Sequence, residues 1–177
     1  GRSFQDNHIF GELSLLENML VAGNDTFGEI PFVSMFARYR TRQTESDKTA
    51  QAEEIFEHIF GPGNKFWDKR NEKAKNLSHG QRRILGLLRI FMADFKLVLL
   101  DEPTAGVNPG LFDSITNIMQ YMAGEQHKTI FLIEHNMAFV KKIATHCLFI
   151  HEGSIQASGT PAEVIDNPLV RKNYLGL

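Results

Sequence analysis

Two adjacent carboxylates close an apolar run in Leu97-Val98-Leu99-Leu100-Asp101-Glu102. A continuous run of this kind suits a parallel strand buried on both faces. Ionised groups at the tip of such a strand are costly unless a metal or substrate uses them. In phosphoryl transfer the first carboxylate can hold Mg²⁺, directly or through water, while the second orients and polarises the attacking water. The competing reading is a strand that simply ends in solvated surface acids, and the Asp-Glu pair by itself leaves both open.

Asn76-Leu77-Ser78-His79-Gly80-Gln81 is an independent signal. Ser78 with Gln81 three residues on makes a capping box, and a glycine in the first turn leaves backbone N–H groups accessible at a positive dipole end. Ser78 then either caps the helix or contacts an anion; an ordinary helix start fits the same residues. His135 directly follows the apolar run Ile130-Phe131-Leu132-Ile133. This spacing places it at the carboxyl edge of a sheet, where open α/β folds bind ligands. A histidine there can also be a plain helix-start residue. Gln5 alone carries no specific signal.

The elements that must position these residues read in two textures. Residues from about 12 to 95 are helical in pattern. Ser14 and Glu17 open a short helix that stops near Gly23. Arg40 to Glu54 is polar, and then Ala52, Ile55, Phe56, Ile59 and Phe60 recur at helical spacing up to the breaker Gly61-Pro62-Gly63-Asn64. After Ser78, an apolar face of Ile84, Leu87, Leu88 and Phe91 carries Arg82, Arg83 and Arg89 among its residues. From about 97 onward, buried strands alternate with helices. Leu111, Ile115, Ile118, Met119 and Met122 form a stripe, and Asn136 caps a helix through Ile143. Two runs around His151-Glu152-Gly153 make a hairpin, and Thr160-Pro161 with Glu163 starts a last helix. Strand, helix, strand, helix predicts a parallel α/β core, with the first half as an inserted helical unit.

Nineteen Lys plus Arg against twenty-one Asp plus Glu, a net charge of −2, give no electrostatic footprint for nucleic acid or an anionic membrane. The lone cysteine, Cys147, cannot form an internal disulfide and sits among apolar neighbours, which predicts a buried structural thiol in a reducing compartment. No apolar run approaches the roughly 20 residues needed to span a bilayer. Gly1-Arg2-Ser3-Phe4-Gln5 contains no initiator methionine and reads as part of a longer gene product.

Taken together, these motifs resemble those of ABC ATPases. Leu77-Ser78-His79-Gly80-Gln81 is similar to the family's LSGGQ signature, and Leu97 to Glu102 resembles its Walker B strand. Ala105-Gly106-Val107-Asn108-Pro109 resembles the D-loop, His135 the switch histidine, and Gln5 the Q-loop glutamine. Leu15-Leu16-Glu17-Asn18, Ile133-Glu134-His135-Asn136-Met137 and the ending Asn167-Pro168 to Tyr174-Leu175-Gly176 are most similar to the ATP-binding subunits of branched-chain amino acid importers. The implied fold is a P-loop NTPase-like α/β core with a helical insertion, a single partial domain over 1–177. The implied cofactors are ATP and Mg²⁺. By resemblance, Asp101 coordinates Mg²⁺ through water, Glu102 is the catalytic carboxylate, His135 contacts the γ-phosphate, and Gln5 senses metal and nucleophile. Ser78, Gly80 and Gln81 would touch a γ-phosphate held by the opposite subunit of a head-to-tail dimer. His79 departs from the usual glycine. The resemblance further implies permease partners at the inner face of a membrane.

The family's phosphate loop, G-x-x-x-x-G-K-[ST], does not occur in the 177 residues. Gly61-Pro62-Gly63-Asn64-Lys65 is a false lookalike, with Phe66 where a Mg²⁺-binding hydroxyl belongs. The expectations are negligible hydrolysis by this chain alone, and a sheet opened where the resemblance implies the loop's strand would lie, uncovering apolar faces of Ile130 to Ile133 and its neighbours. The exposed sheet edge would then be covered by self-association, for instance by strand exchange between copies. A non-catalytic interaction module is the alternative from another class. An ABC-type ATPase acting on DNA or ribosomes is disfavoured by the absence of long heptads and of a basic surface.

Overall fold

The computed structural model describes residues 9–22, 38–93 and 95–175. Gln5 and the rest of its motif lie outside them. The chain divides into two compact units, one up to Leu132 and one from Ile133 onward.

In the first unit, helix α1 (Leu15–Ala22) begins with the expected capping box: Glu17 N donates to Ser14 Oγ at 3.1 Å, and Ser14 N donates to Glu17 Oε2 at 2.7 Å. Asn18, fully buried, exchanges hydrogen bonds of 2.9 Å with both backbone groups of Phe10. This satisfies the amide and pins the preceding turn to the helix. Helix α2 (Arg38–Phe60) is longer than its apolar stripe, running back through the polar stretch before Ala52. Among its described side chains, Ala52, Ile55, Phe56 and Ile59 anchor it in the core, and Phe56 packs against the rings of Phe60 and Trp67. The chain leaves α2 through Gly61 and Gly63, both at positive φ, where a Cβ would be strained.

Helix α3 (His79–Met92) buries Ile84, Leu85, Leu87, Leu88 and Phe91 and packs on both α1 and α4 (Phe112–Gly124). Helix α4 in turn buries Ile115, Ile118, Met119 and Met122. Buried Lys128 donates to the carbonyls of Phe91 and Ala93, covering the C-terminal end of α3 with positive charge.

Strands β1 (Leu97–Asp101) and β2 (Thr129–Ile133) are neighbours. Thr129 N donates to Lys96 O at 2.8 Å, so the two strands start side by side and run parallel, with α4 as crossover. The structure corrects one expectation here: neither strand is buried on both faces. Val98 and Leu100 are buried, whereas Leu97, Leu99, Phe131 and Ile133 each remain 53–59% exposed. Side chains alternate across a strand, so one face lies against the core and the other has no cover among the described residues.

In the second unit, α5 (Met137–Ile143) is capped by Asn136, whose Oδ1 accepts from Phe139 N at 3.1 Å. Strands β3 (Cys147–His151) and β4 (Ser154–Gly159) form the antiparallel hairpin. Its turn places Glu152 and Gly153 both at positive φ, as a two-residue hairpin turn with matched twist requires. Cys147 is half-buried rather than fully buried, and its partial burial raises the thiol's pKa. Helix α6 (Pro161–Asp166) packs on the hairpin and on α5, buries Val164 and Ile165, and starts with the Thr160–Glu163 capping box. A short turn, α7 (Pro168–Val170), follows.

Candidate functional site

The site grows from the start of α3. Ser78 is the N-cap: Gln81 N donates to Ser78 Oγ at 3.3 Å, and Ser78 N donates to Gln81 Oε1 at 3.0 Å. Capping takes one lone pair of the serine oxygen and leaves its O–H able to donate. Helix capping and anion contact by Ser78 are therefore compatible. The N–H groups of His79 and Gly80, in the first helical turn, have no acceptor within the helix.

Gly80 allows close packing here. A Cβ at that position would lie 2.5 Å from Leu111 Cδ1, inside van der Waals contact. The helix start is thus pressed onto the loop after β1. His79 lies over the same loop: a Cβ at Gly106, whose φ is +67°, would sit 3.5 Å from the imidazole Cε1. The loop holds itself together through Ala105 N to Glu102 O at 3.0 Å and Val107 N to Thr104 O at 3.2 Å.

Asp101 ends β1 and Glu102 directly follows it. Together with Lys75, His79, Arg82 and Arg83 they line a cavity of about 400 Å³. Two acidic residues thus share the cavity's lining with several basic ones. Glu102 has φ +43°, a left-handed conformation that costs a non-glycine residue on the order of 1–3 kcal/mol. Such strain persists only where the surroundings over-determine it. Buried Arg83 contributes to that constraint: its guanidinium donates to the carbonyl oxygens of Asp101 (3.1 Å), Glu102 (2.7 Å) and Pro103 (3.2 Å).

Among the described residues no cluster of three or more His, Cys, Asp or Glu could cage a metal. Asp101 and Glu102 do suit Mg²⁺, which takes one or two carboxylates and completes its shell with water and phosphate oxygens.

The structure therefore brings Asp101, Glu102 and His79 to one cavity, with Ser78, Gly80 and Gln81 at the start of the helix beside it. His135 belongs to the second unit, two residues beyond β2. Its backbone N–H, like that of Asn136, donates to Glu134 Oε2, so Glu134 fixes the turn into α5. Gln5 lies outside the described residues. Sequence reading passed over Arg83, although a signal existed. It falls four residues before Leu87 on the buried side of α3, and a cation on an apolar stripe needs partners.

Comparisons with known proteins bear on the family and the fold. Residues 1–105 match the family model described as ABC transporter, and residues 157–176 match the one described as Branched-chain amino acid ATP-binding cassette transporter. The chain is 33% identical, over 99% of its length and 67% of the relative's, to the high-affinity branched-chain amino acid transport ATP-binding protein BraF of Pseudomonas aeruginosa. It is 30% identical, with the same coverage, to the corresponding LivG of Escherichia coli K12. Among solved structures, the ADP conformation of MJ1267, an ATP-binding cassette of an ABC transporter, superposes with a TM-score of 0.64 at 28% identity. That match covers 94% of this chain and 64% of that one. The dimeric cassette MJ0796 shares the fold, with a TM-score of 0.63 at 15% identity over 89% of this chain and 61% of that one. The chain thus spans about two thirds of the length of its relatives. A family match over more than half the residues, near-complete alignment to BraF and LivG, and a carboxylate pair closing β1 leave one assignment: the chain belongs to the ABC transporter ATP-binding family.

Proposed function

We propose that this chain is the ATP-binding and ATP-hydrolysing subunit of an importer for branched-chain amino acids. One observation carries the chemistry: β1 ends in Asp101, Glu102 directly follows it, and both line a cavity whose lining also includes basic residues. The solute class rests on the printed descriptions of BraF and LivG and on the match at residues 157–176. The chain forms one partial cassette, residues 12–95 being its helical subdomain and 97–177 the remainder of the α/β core.

In this reading Asp101 holds Mg²⁺ through water, and the ion, when bound, neutralises phosphate charge. Glu102 accepts a hydrogen bond from the attacking water and aims it in line with the leaving oxygen. His135 contacts the γ-phosphate, and Gln5 senses metal and nucleophile. The Ser78 hydroxyl, the N–H groups of His79 and Gly80, and the side-chain NH₂ of Gln81, whose own backbone N–H is held by the Ser78 cap, meet the γ-phosphate of a second ATPase subunit across a head-to-tail dimer. Dipole and N–H donors together favour an anion at that helix start. Permease subunits carry the solute, and the cassette sits on their inner face. No described helix is long and apolar enough to cross a membrane.

The 177 residues contain no phosphate loop. Each charge-assisted hydrogen bond such a loop supplies is worth about 1.5–3 kcal/mol. The 177 residues alone are therefore expected to show negligible ATP turnover, whereas a longer, full-length form that carries such a loop, with its permease, is expected to hydrolyse it. Steady-state phosphate release from both, with Glu102→Gln as control, is the test. Expected is a loss of at least ~100-fold in the full-length variant. Wild-type rates from full-length Glu102→Gln would remove the assignment of Glu102, and Glu102-dependent turnover by the 177 residues alone would overturn the expected inactivity. If no full-length form hydrolyses ATP, the chain is a non-catalytic interaction module.

A further inference from the structure

We infer that Arg83 is a positioning residue for the Glu102 carboxylate. The inference rests on the hydrolytic reading above and adds to it a group outside the recognised motifs. Arg83 lies in α3, one turn beyond the helix start, and is only 9% exposed. Its side chain reaches the end of β1 and donates to three successive carbonyl oxygens: Asp101 and Glu102 through Nη2, and Pro103 through Nε.

Those carbonyls belong to the peptide planes on both sides of Glu102 and to the next plane along. Two planes fixed around one Cα fix its φ and ψ, and so the direction of its Cα–Cβ bond. Glu102 needs that constraint, because at φ +43° it occupies a region that a glutamate does not hold unaided. Its carbonyl also accepts from Ala105 N at 3.0 Å, so the turn after the acids and the guanidinium share one acceptor. The planar fork of arginine is what lets one side chain meet three carbonyls; a lysine ammonium, a single point donor on a flexible stem, cannot reproduce it. Arg83 therefore sets where the carboxylate stands relative to an attacking water without touching that water.

The test uses the full-length protein with Arg83→Lys and Arg83→Met. A displacement near 1 Å of a reacting group can cost ~100-fold in rate. Both variants should lose kcat by about that factor while KM for ATP changes less than about 3-fold, because the lost interaction acts only in the transition state. Adding Arg83→Lys to Glu102→Gln should lower kcat no further, since the two residues act as one unit. Should Arg83→Met fail to fold, Arg83→Lys with unchanged thermal stability still decides the matter. An unchanged kcat in Arg83→Lys, or a KM that rises in step with the kcat loss, overturns the inference. So does full additivity with Glu102→Gln. A Glu102→Gln variant that alone keeps wild-type turnover fells the hydrolytic reading, and this inference with it. Loss in Glu102→Gln with full activity in Arg83→Lys fells only the inference.

Discussion

At the start of α3, backbone and side chain answer each other closely. Ser78 and Gln81 cap reciprocally, Gly80 admits Leu111, and Arg83 gathers three carbonyls. On the far face of β1 and β2, four large apolar side chains stay more than half exposed. The first region draws its contacts from residues between 78 and 111, all but position 94 of them described. The second needs a covering layer that no described element supplies. The contrast shows which part of the molecule is self-sufficient and which depends on further protein surface.

The largest effect that can break this contrast is a pair of truncations. Phe91 is 1% exposed in the core, and Phe91→Ala should cost about 3–5 kcal/mol through lost burial and a cavity. Leu99 is 56% exposed, and Leu99→Ala should cost roughly 1 kcal/mol or less, since full burial of a leucine is worth about 1.5–3 kcal/mol. Urea unfolding at fixed protein concentration measures both. A Leu99→Ala cost as large as that of Phe91→Ala would mean the exposed face is covered in solution. Concentration-dependent light scattering would then show whether a second copy covers it.

A smaller effect sharpens the complete side. Gly80→Ala gains helix propensity but places its methyl 2.5 Å from Leu111 Cδ1. Overpacking should win, giving a loss of about 1 kcal/mol. In a Leu111→Ala background the same change should be neutral or favourable, because the obstructing atom is gone. Thermal melts of the four proteins form the cycle. Equal cost in both backgrounds would show that the helix start does not press on the loop.

Much of this was legible in the residues. Capping boxes at Ser14, Ser78 and Thr160 announce themselves because serine or threonine and a Glu or Gln three residues on satisfy each other locally. The hairpin around Glu152-Gly153 and the acids closing β1 are also short-range signals. The exposure of Phe131 and its neighbours followed from the expected opening of the sheet, although an apolar run by itself reads the same whether its second face is covered or bare. Two features escaped. The backward extension of α2 to Arg38 has no apolar stripe to declare it. Arg83 was read only as one of three arginines interspersed along the apolar face: its place on the buried side implied partners, but these are main-chain oxygens 18 to 20 residues away, and backbone carbonyls have no sequence signature.

Capping supplies the next prediction. Ser78→Ala and Thr160→Ala each remove an oxygen that accepts from a helix N–H, and each should cost about 1 kcal/mol. The two substitutions lie in different units. If the units unfold independently, amide hydrogen exchange should show Ser78→Ala loosening α3 and Thr160→Ala loosening α6, with no crossover. Loosening of both helices by either change would mean that the two units unfold as one.

The smallest effect concerns Glu12, which joins the turn before α1 to residues 73–75. Its carboxylate lies 2.8 Å from Lys75 Nζ and 2.9 Å from Lys73 Nζ. The hydrogen bond from Lys75 and then that from Lys73 hold its pKa down from 4.5 to about 2. Because the folded pKa lies below the unfolded one, the group's contribution is present above pH 4.5 and is lost as pH falls toward 2. The stability gap between wild type and Glu12→Gln should therefore be constant at neutral pH and close across that acid window. All three side chains are exposed by half or more, so water and salt screen the pairs, and the gap should be small and shrink in added salt. Urea midpoints for both proteins at pH 7, 4 and 2.5, at low and high salt, check each point. A gap that widens on acidification would mean that the two lysines do not stabilise the ionised carboxylate, and that the Ser14–Lys73 bridge holds this turn without their help.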